Sequence, residues 1–184
     1  MTATLRRLSA ALSLAAVAAL PVRAQQADPI RYTVRIPAPA THYLEIEATY
    51  PTGGKPAIEL MMAVWTPGSY LVREFARHVE QVQAKNPSGH ALPIEKSRKN
   101  RWRVSTGGAK SVVLTYRVYA NERLARTDWV DESFALINGA ATYITLLERG
   151  RRPHEVTLEL PASWHQSLTA LPNAADKRPA AEKK

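Results

Sequence analysis

Residues 44–65 read LEIEATYPTGGKPAIELMMAVW. Leu44, Ile46 and Ala48 alternate with Glu45, Glu47 and Thr49, the period of two that sends successive side chains to opposite faces of a strand. Pro51-Thr52-Gly53-Gly54 then interrupts the pattern with turn-forming residues. Ile58, Leu60, Met62 and Val64 next alternate with Glu59, Met61, Ala63 and Trp65. The end of this run is apolar on both faces, which predicts a place inside a sheet rather than at its edge.

The same alternation extends outward in both directions. Tyr32, Val34 and Ile36 oppose Arg31, Thr33 and Arg35, and Trp102 and Val104 oppose Arg101 and Arg103. After a Gly107-Gly108 turn, Val112, Leu114, Tyr116 and Val118 oppose Val113, Thr115, Arg117 and Tyr119. Val156, Leu158 and Leu160 form a last strand. Leu71, Phe75, Val79 and Val82 recur at helical spacing, but a strong turn at Asn86-Pro87-Ser88-Gly89 follows. Residues 71–78 therefore read as a loop or a single helical turn, and 79–95 as a hairpin. Residues 121–132 read as a long polar loop. Residues 134–137 and 142–147 flank Asn138-Gly139, a hairpin signal. Together these predict a mostly β domain over residues 25–172, two-sheet and β-sandwich-like, with short irregular or helical turns.

The ends of the chain read differently. Arg6 and Arg7 precede an uncharged apolar run over residues 8–20, and Val22-Arg23-Ala24 carries the features of a peptidase cleavage site. This is a secretory signal, expected to be removed after Ala24; about 20 apolar residues would be needed to span a bilayer. The expected location is periplasmic or secreted, with no transmembrane segment after cleavage. Loss of Arg6, Arg7 and Arg23 takes the formal charge from +9 to +6, a weak bias toward anionic partners. The chain has no cysteine, which excludes disulfides and thiolate metal sites. Residues 173–184 (NAADKRPAAEKK) are polar and low in complexity, and are expected to be disordered.

Residues 65–78 read WTPGSYLVREFARH. Pro67 fixes φ and Gly68 permits φ > 0, so a tight turn ends the central strand. Trp65 and Tyr70 bracket the turn, which aims Ser69, Tyr70 and Arg73 at one end of the sheet. This segment resembles the amino-terminal domain of the glycyl aminopeptidase family of zinc metallopeptidases. The resemblance extends to the strand 32–36, to Val118-Tyr119-Ala120-Asn121, to Arg126-Thr127-Asp128 and to Phe134-Ala135-Leu136-Ile137-Asn138-Gly139. It implies a β domain that precedes a helical catalytic domain and helps wall its substrate cleft. It also implies that Trp65, Pro67, Gly68, Ser69, Tyr70, Arg73, Phe75, Asn138 and Gly139 form the family motif and a cleft or interface surface. In such enzymes zinc is bound by an H-E-x-x-H helix. The five histidines here are His42, His78, His90, His154 and His165, and no two stand four apart. His154-Glu155 has Leu158 where the second histidine is required, within a run that alternates like a strand. The chain is therefore expected to be non-catalytic, to hold no cofactor, and to be truncated or orphaned from a catalytic domain or peptidase partner.

Other constellations have simpler readings. Ser69 lies in no G-x-S-x-G elbow. Asp128, Asp131 and Glu132 lack the rhythm of a calcium loop and read as solvated acids or charges facing a partner domain. Lys96, Arg98, Lys99, Arg101 and Arg103 surround Trp102, but alternation turns Trp102 inward and the cations to solvent, so no nucleic acid is expected. The uncovered partner surface is expected near Tyr70, Phe75 and the 121–132 loop, where it would promote self-association. A free-standing periplasmic module for peptides or glycans is the rival reading. Exposed tryptophans at one sheet end would favour it, whereas a buried Trp65 and a large apolar patch would favour the orphaned domain.

Overall fold

A computed structural model describes residues 27–148 and 151–172; the expected signal segment and the 173–184 tail lie outside them. The strands are β1 (Ile30–Arg35), β2 (Tyr43–Pro51), β3 (Ala57–Met62), β4 (Val79–Lys85), β5 (Ala91–Leu92) and β6 (Ile94–Arg98). They continue with β7 (Arg101–Ser105), β8 (Ser111–Tyr119), β9 (Trp129–Val130) and β10 (Ala135–Leu136). A single α-turn, α1 (Gly139–Thr142), precedes β11 (Ile144–Leu146) and β12 (His154–Glu159). One sheet has the order β12-β1-β2-β8-β4-β5 and a second the order β11-β3-β7-β6, with β9 and β10 as a separate pair. The domain is mostly β and sandwich-like, as its alternation predicts.

Each long strand buries one face. In β1 these are Ile30, Tyr32 and Val34, in β2 Leu44, Ile46, Ala48 and Tyr50, and in β8 Val112, Leu114, Tyr116 and Val118. Ile58, Leu60 and Met62 of β3 and Trp102 and Val104 of β7 complete the core from the other sheet. β3 lies between β11 and β7, as its two-sided apolar end predicts.

Two similar turns carry the chain between sheets. Thr52-Gly53-Gly54 leads from β2 to β3, and Thr106-Gly107-Gly108 from β7 to β8. The Thr52 hydroxyl donates to the Ala109 carbonyl and that of Thr106 to the Lys55 carbonyl. Each hydroxyl also accepts an N–H two residues on, from Gly54 at 3.0 Å and Gly108 at 3.1 Å. Both threonines are buried, so the turns clasp each other and hold the sheets together at one end.

Three buried tyrosines tie the sheets elsewhere. The hydroxyls of Tyr32 and Tyr50 both donate to the Ile144 carbonyl, at 2.7 and 2.8 Å. Tyr116 donates to the Thr142 carbonyl at 3.0 Å and accepts from the Ile144 N–H at 3.1 Å. These side chains stand on the large sheet and grip the backbone that leads into β11 of the small one. Burial raises the Tyr50 and Tyr116 pKa values far above the usual phenol range, so both hydroxyls keep the proton they donate.

Three expectations need correction. The predicted hairpin at Asn138-Gly139 does not form. Asn138 is extended (φ −104°, ψ 117°) and its side chain caps α1 by accepting from the Ala140 N–H, whereas the two-residue hairpin turn it was read as needs φ > 0 at both positions. The flanking runs pair apart, β10 with β9 and β11 with β3. The 79–95 hairpin is real only through β4 and β5; beyond Pro93 the chain crosses to pair β6 with β7. The 121–132 loop includes strand β9. β12 forms as the last strand and runs parallel to β1 at the sheet edge, with Leu158 exposed. Among the described residues no helix is long and apolar enough to cross a membrane.

Candidate functional site

Where β3 ends, Asn100 fixes it: the Met62 N–H donates to the Asn100 carbonyl (3.0 Å) and Asn100 Nδ2 to the Met62 carbonyl (2.8 Å). The chain then makes a loop closed by the Arg73 N–H on the Val64 carbonyl at 2.6 Å. Within it the Ser69 N–H reaches the Thr66 carbonyl at 3.2 Å, and Gly68 has φ 77°. Pro67 and Gly68 thus occupy the two central positions of a type II turn, where glycine supplies the positive φ. Trp65 Nε1 donates to the Ser69 carbonyl at 2.7 Å and braces the turn from below.

The turn is tied to two distant segments. Arg126 Nη2 donates to the Gly68 carbonyl at 2.9 Å. Two residues on, Asp128 accepts the Asn138 N–H at 2.7 Å and the Thr142 hydroxyl at 2.9 Å. Asn138 Nδ2 returns to the Ala125 carbonyl at 3.4 Å. Gly139 opens α1 without a positive φ; a Cβ there would meet the Tyr143 ring at 3.4 Å. The fold therefore brings together three stretches that are far apart in sequence: 65–73, 126–128 and 138–139.

On the outside of this junction lie Trp65, 49% exposed, the fully exposed Tyr70, and Leu71, Val72 and Leu124, all largely exposed. Phe75 is not among them. It is 3% exposed and enters the core from the 3-10 turn Phe75–His78, which corrects its assignment to the interface. The Arg73 Nε is buried without a hydrogen-bond partner. Among the described residues Arg73, Arg123 and Arg126 form no salt bridge; Arg126 donates to Gly68 and Arg123 lies over the Trp129 and Phe134 rings, so no carboxylate neutralises these cations.

Other candidates resolve into structural roles. Ser69 Oγ accepts the Leu71 N–H at 3.3 Å and hydrogen-bonds no histidine. Asp131 is a loop-capping acid, accepting from the Ser133 hydroxyl and from the N–H groups of Phe134 and Ser133, which hold its carboxyl far below the usual range. Asp128 is the exception to the reading of these acids as solvated: it is 4% exposed, and burial pushes its carboxyl up to about 6. His78 sits 3.3 Å from Glu122, and burial lowers its pKa. Trp102 points inward, with Lys96 Nζ 5.3 Å from its ring centre. Among the described residues no three His, Asp or Glu side chains converge to hold a metal.

Sequence reasoning missed Thr142 as a partner of Asp128 and Val72 as part of the edge, and placed the 121–132 loop there without singling out Leu124. The alternation of neighbouring strands says nothing about irregular segments, and only the Arg126-Thr127-Asp128 string signalled this one.

Valine at Gly68 is expected to cost about 2 kcal/mol, because a β-branched residue at positive φ is strained. A Cβ there would make only an ordinary contact with Arg126 Nη2, at 3.6 Å, so the cost is that of the backbone conformation. In the Pro51–Gly54 turn Gly53 also has positive φ, at 63°, and lies in the threonine clasp. Alanine at Gly53 meets no atom within 4 Å and is expected to cost about 1 kcal/mol. Thermal unfolding of both variants checks the difference; equal losses would contradict the strain assigned to a β-branched residue in the type II turn.

Comparison with known proteins agrees with this geometry. The family model described as the Peptidase M61 N-terminal domain matches residues 31–183. An aminopeptidase N family protein from Idiomarina loihiensis has a solved structure that superposes with a TM-score of 0.67 at 26% identity. The match covers 72% of this chain and 22% of that one. An M1 zinc metallopeptidase from Deinococcus radiodurans is more distant, with a TM-score of 0.40 at 12% identity over 75% of this chain and 33% of its own. No curated protein matches. With its family model spanning nearly all the described strands, the chain belongs to the Peptidase M61 N-terminal domain family.

Proposed function

We propose that this chain is a non-catalytic, exported β domain of a zinc-dependent aminopeptidase system. It docks through the 65–72 edge onto a catalytic domain and helps wall the substrate cleft there. The observation that carries this is the junction itself: three motif stretches converge, and the residues they leave outside are apolar. Water-exposed Tyr70, Leu71, Val72 and Leu124 gain by burial against a partner. The unneutralised arginines around them fit a partner surface with carboxylates at its rim, and they oppose pairing of this edge with itself in a second copy.

The half-exposed Trp65 favours the rival, a free-standing periplasmic module for peptides or glycans. Its indole N–H is already used by Ser69, however, so it offers a ligand only a ring face. A photo-crosslinking residue at Tyr70, introduced into the gene in its own host, separates the two. The expected adduct is a polypeptide segment containing an H-E-x-x-H helix, recovered outside the cytoplasm with a mature amino terminus at Gln25. Adducts with short peptides or glycans alone would overturn the docking reading.

A further inference from the structure

The Asp128 carboxyl lies under the junction, and none of its hydrogen bonds comes from a cation. Its surroundings can be followed element by element. From α1 and just beyond it come Thr142 and Tyr143; from β8, Tyr116 and Tyr119; from its own loop, Glu122; from the Phe75–His78 turn, His78. The acids and phenols among these add no positive charge; Arg77, on the same turn as His78, is paired with Glu122, and Arg126, in the same loop as Asp128, donates to the Gly68 carbonyl. His78, which has its pKa lowered by burial, adds none near neutral pH.

Burial favours the neutral acid and outweighs the hydrogen bonds from Asn138 and Thr142, which favour the carboxylate. Thr142 Oγ1 has one hydrogen and two acceptors in reach, Asp128 Oδ2 at 2.9 Å and the Asn138 carbonyl at 2.8 Å. Against a carboxylate it can serve only one of them. Against a carboxylic acid both contacts are satisfied: the acid donates to Thr142 Oγ1, Thr142 donates to the Asn138 carbonyl, and the second acid oxygen still accepts the Asn138 N–H. An ionised Asp128 is therefore a buried, unpaired charge beside a frustrated hydroxyl.

We propose that Asp128 is a positioning residue and a pH-sensitive latch: protonated, it locks the 122–130 segment to α1 and, through Arg126, to the 66–69 turn, and ionised, it lets that junction open. The sign follows from linkage. The closed junction binds the proton more tightly than an opened, solvated one, so closure weakens as pH rises from the ordinary aspartate range through about 6. The docking edge is then rigid in mildly acidic surroundings and adaptable near neutrality. The latch concerns how the edge is held, and it stands or falls independently of what covers it.

Amide hydrogen exchange and NMR titration of the full chain between pH 5 and 7 test it, with exchange corrected for base catalysis. Protection of the Asn138 and Thr142 amides is expected to fall about tenfold across that range, as one group titrating near 6 requires. The Gly68 and Ser69 signals should move with the same midpoint. In Asp128→Asn the amide can reproduce the acid's hydrogen bonds, so protection should stay high and flat with pH. Flat protection in the wild-type chain would overturn the latch. A response at Asn138 that leaves Gly68 and Ser69 unmoved would overturn its reach to the turn. If the variant fails to fold, the wild-type titration still decides, and neither result alters the crosslinking outcome at Tyr70.

Discussion

Alanine at Tyr116 is expected to lower stability by about 4 kcal/mol, enough to unfold many domains of this size. The side chain is buried between the sheets, and its loss leaves a large cavity. Phenylalanine isolates the hydroxyl. Tyr116→Phe leaves the Thr142 carbonyl without its donor and the Ile144 N–H without its acceptor, for about 2 kcal/mol. Tyr50→Phe should cost less, because Tyr32 still donates to the shared Ile144 carbonyl. Urea unfolding of the phenylalanine variants checks the order. A Tyr50→Phe loss equal to or greater than that of Tyr116→Phe would mean that the tyrosines do not hold the α1–β11 backbone as described. Because that backbone also carries Thr142, damage at Tyr116 should extend to the Asp128 junction.

The fold was readable in the sequence wherever a strand buries one face. Leu44, Ile46 and Ala48 are all buried against the exposed or half-buried Glu45, Glu47 and Thr49, because burial of one face imposes a period of two. The same pattern could not show what a buried side chain does with its polar end. Tyr116 reads as one more inward residue, and its hydroxyl finds partners 26 and 28 positions away. Nor does alternation orient irregular segments. Phe75 and Leu71 both fit the helical spacing, yet the 3-10 turn buries Phe75 and the loop exposes Leu71.

The candidate site was legible as strings but not as an assembly. The 65–78 string locates the type II turn and its glycine, since proline and glycine act through their own backbone preferences. Asp128 was misread for a sound reason: aspartates are mostly exposed. What buries it are Asn138 and Thr142, which lie 10 and 14 residues further on. Asn138-Gly139 was misread because the same dipeptide can form a hairpin turn or a helix cap, and the pairing of β10 with β9 selects the cap.

The sharpest consequence of the proposed function is a prediction that this chain alone does not hydrolyse peptides. Hydrolysis of the family's kind needs zinc held from one helical face and a glutamate to activate water. The sequence has no histidine pair at that spacing, and His154-Glu155 lies on strand β12, where neighbouring side chains point to opposite faces. The most direct test is an assay of the purified chain, with added zinc, for release of amino-terminal glycine or alanine from short peptides, alongside a zinc determination. The predicted result is no zinc-dependent release and no stoichiometric metal. Stoichiometric zinc with chelator-sensitive hydrolysis would contradict it.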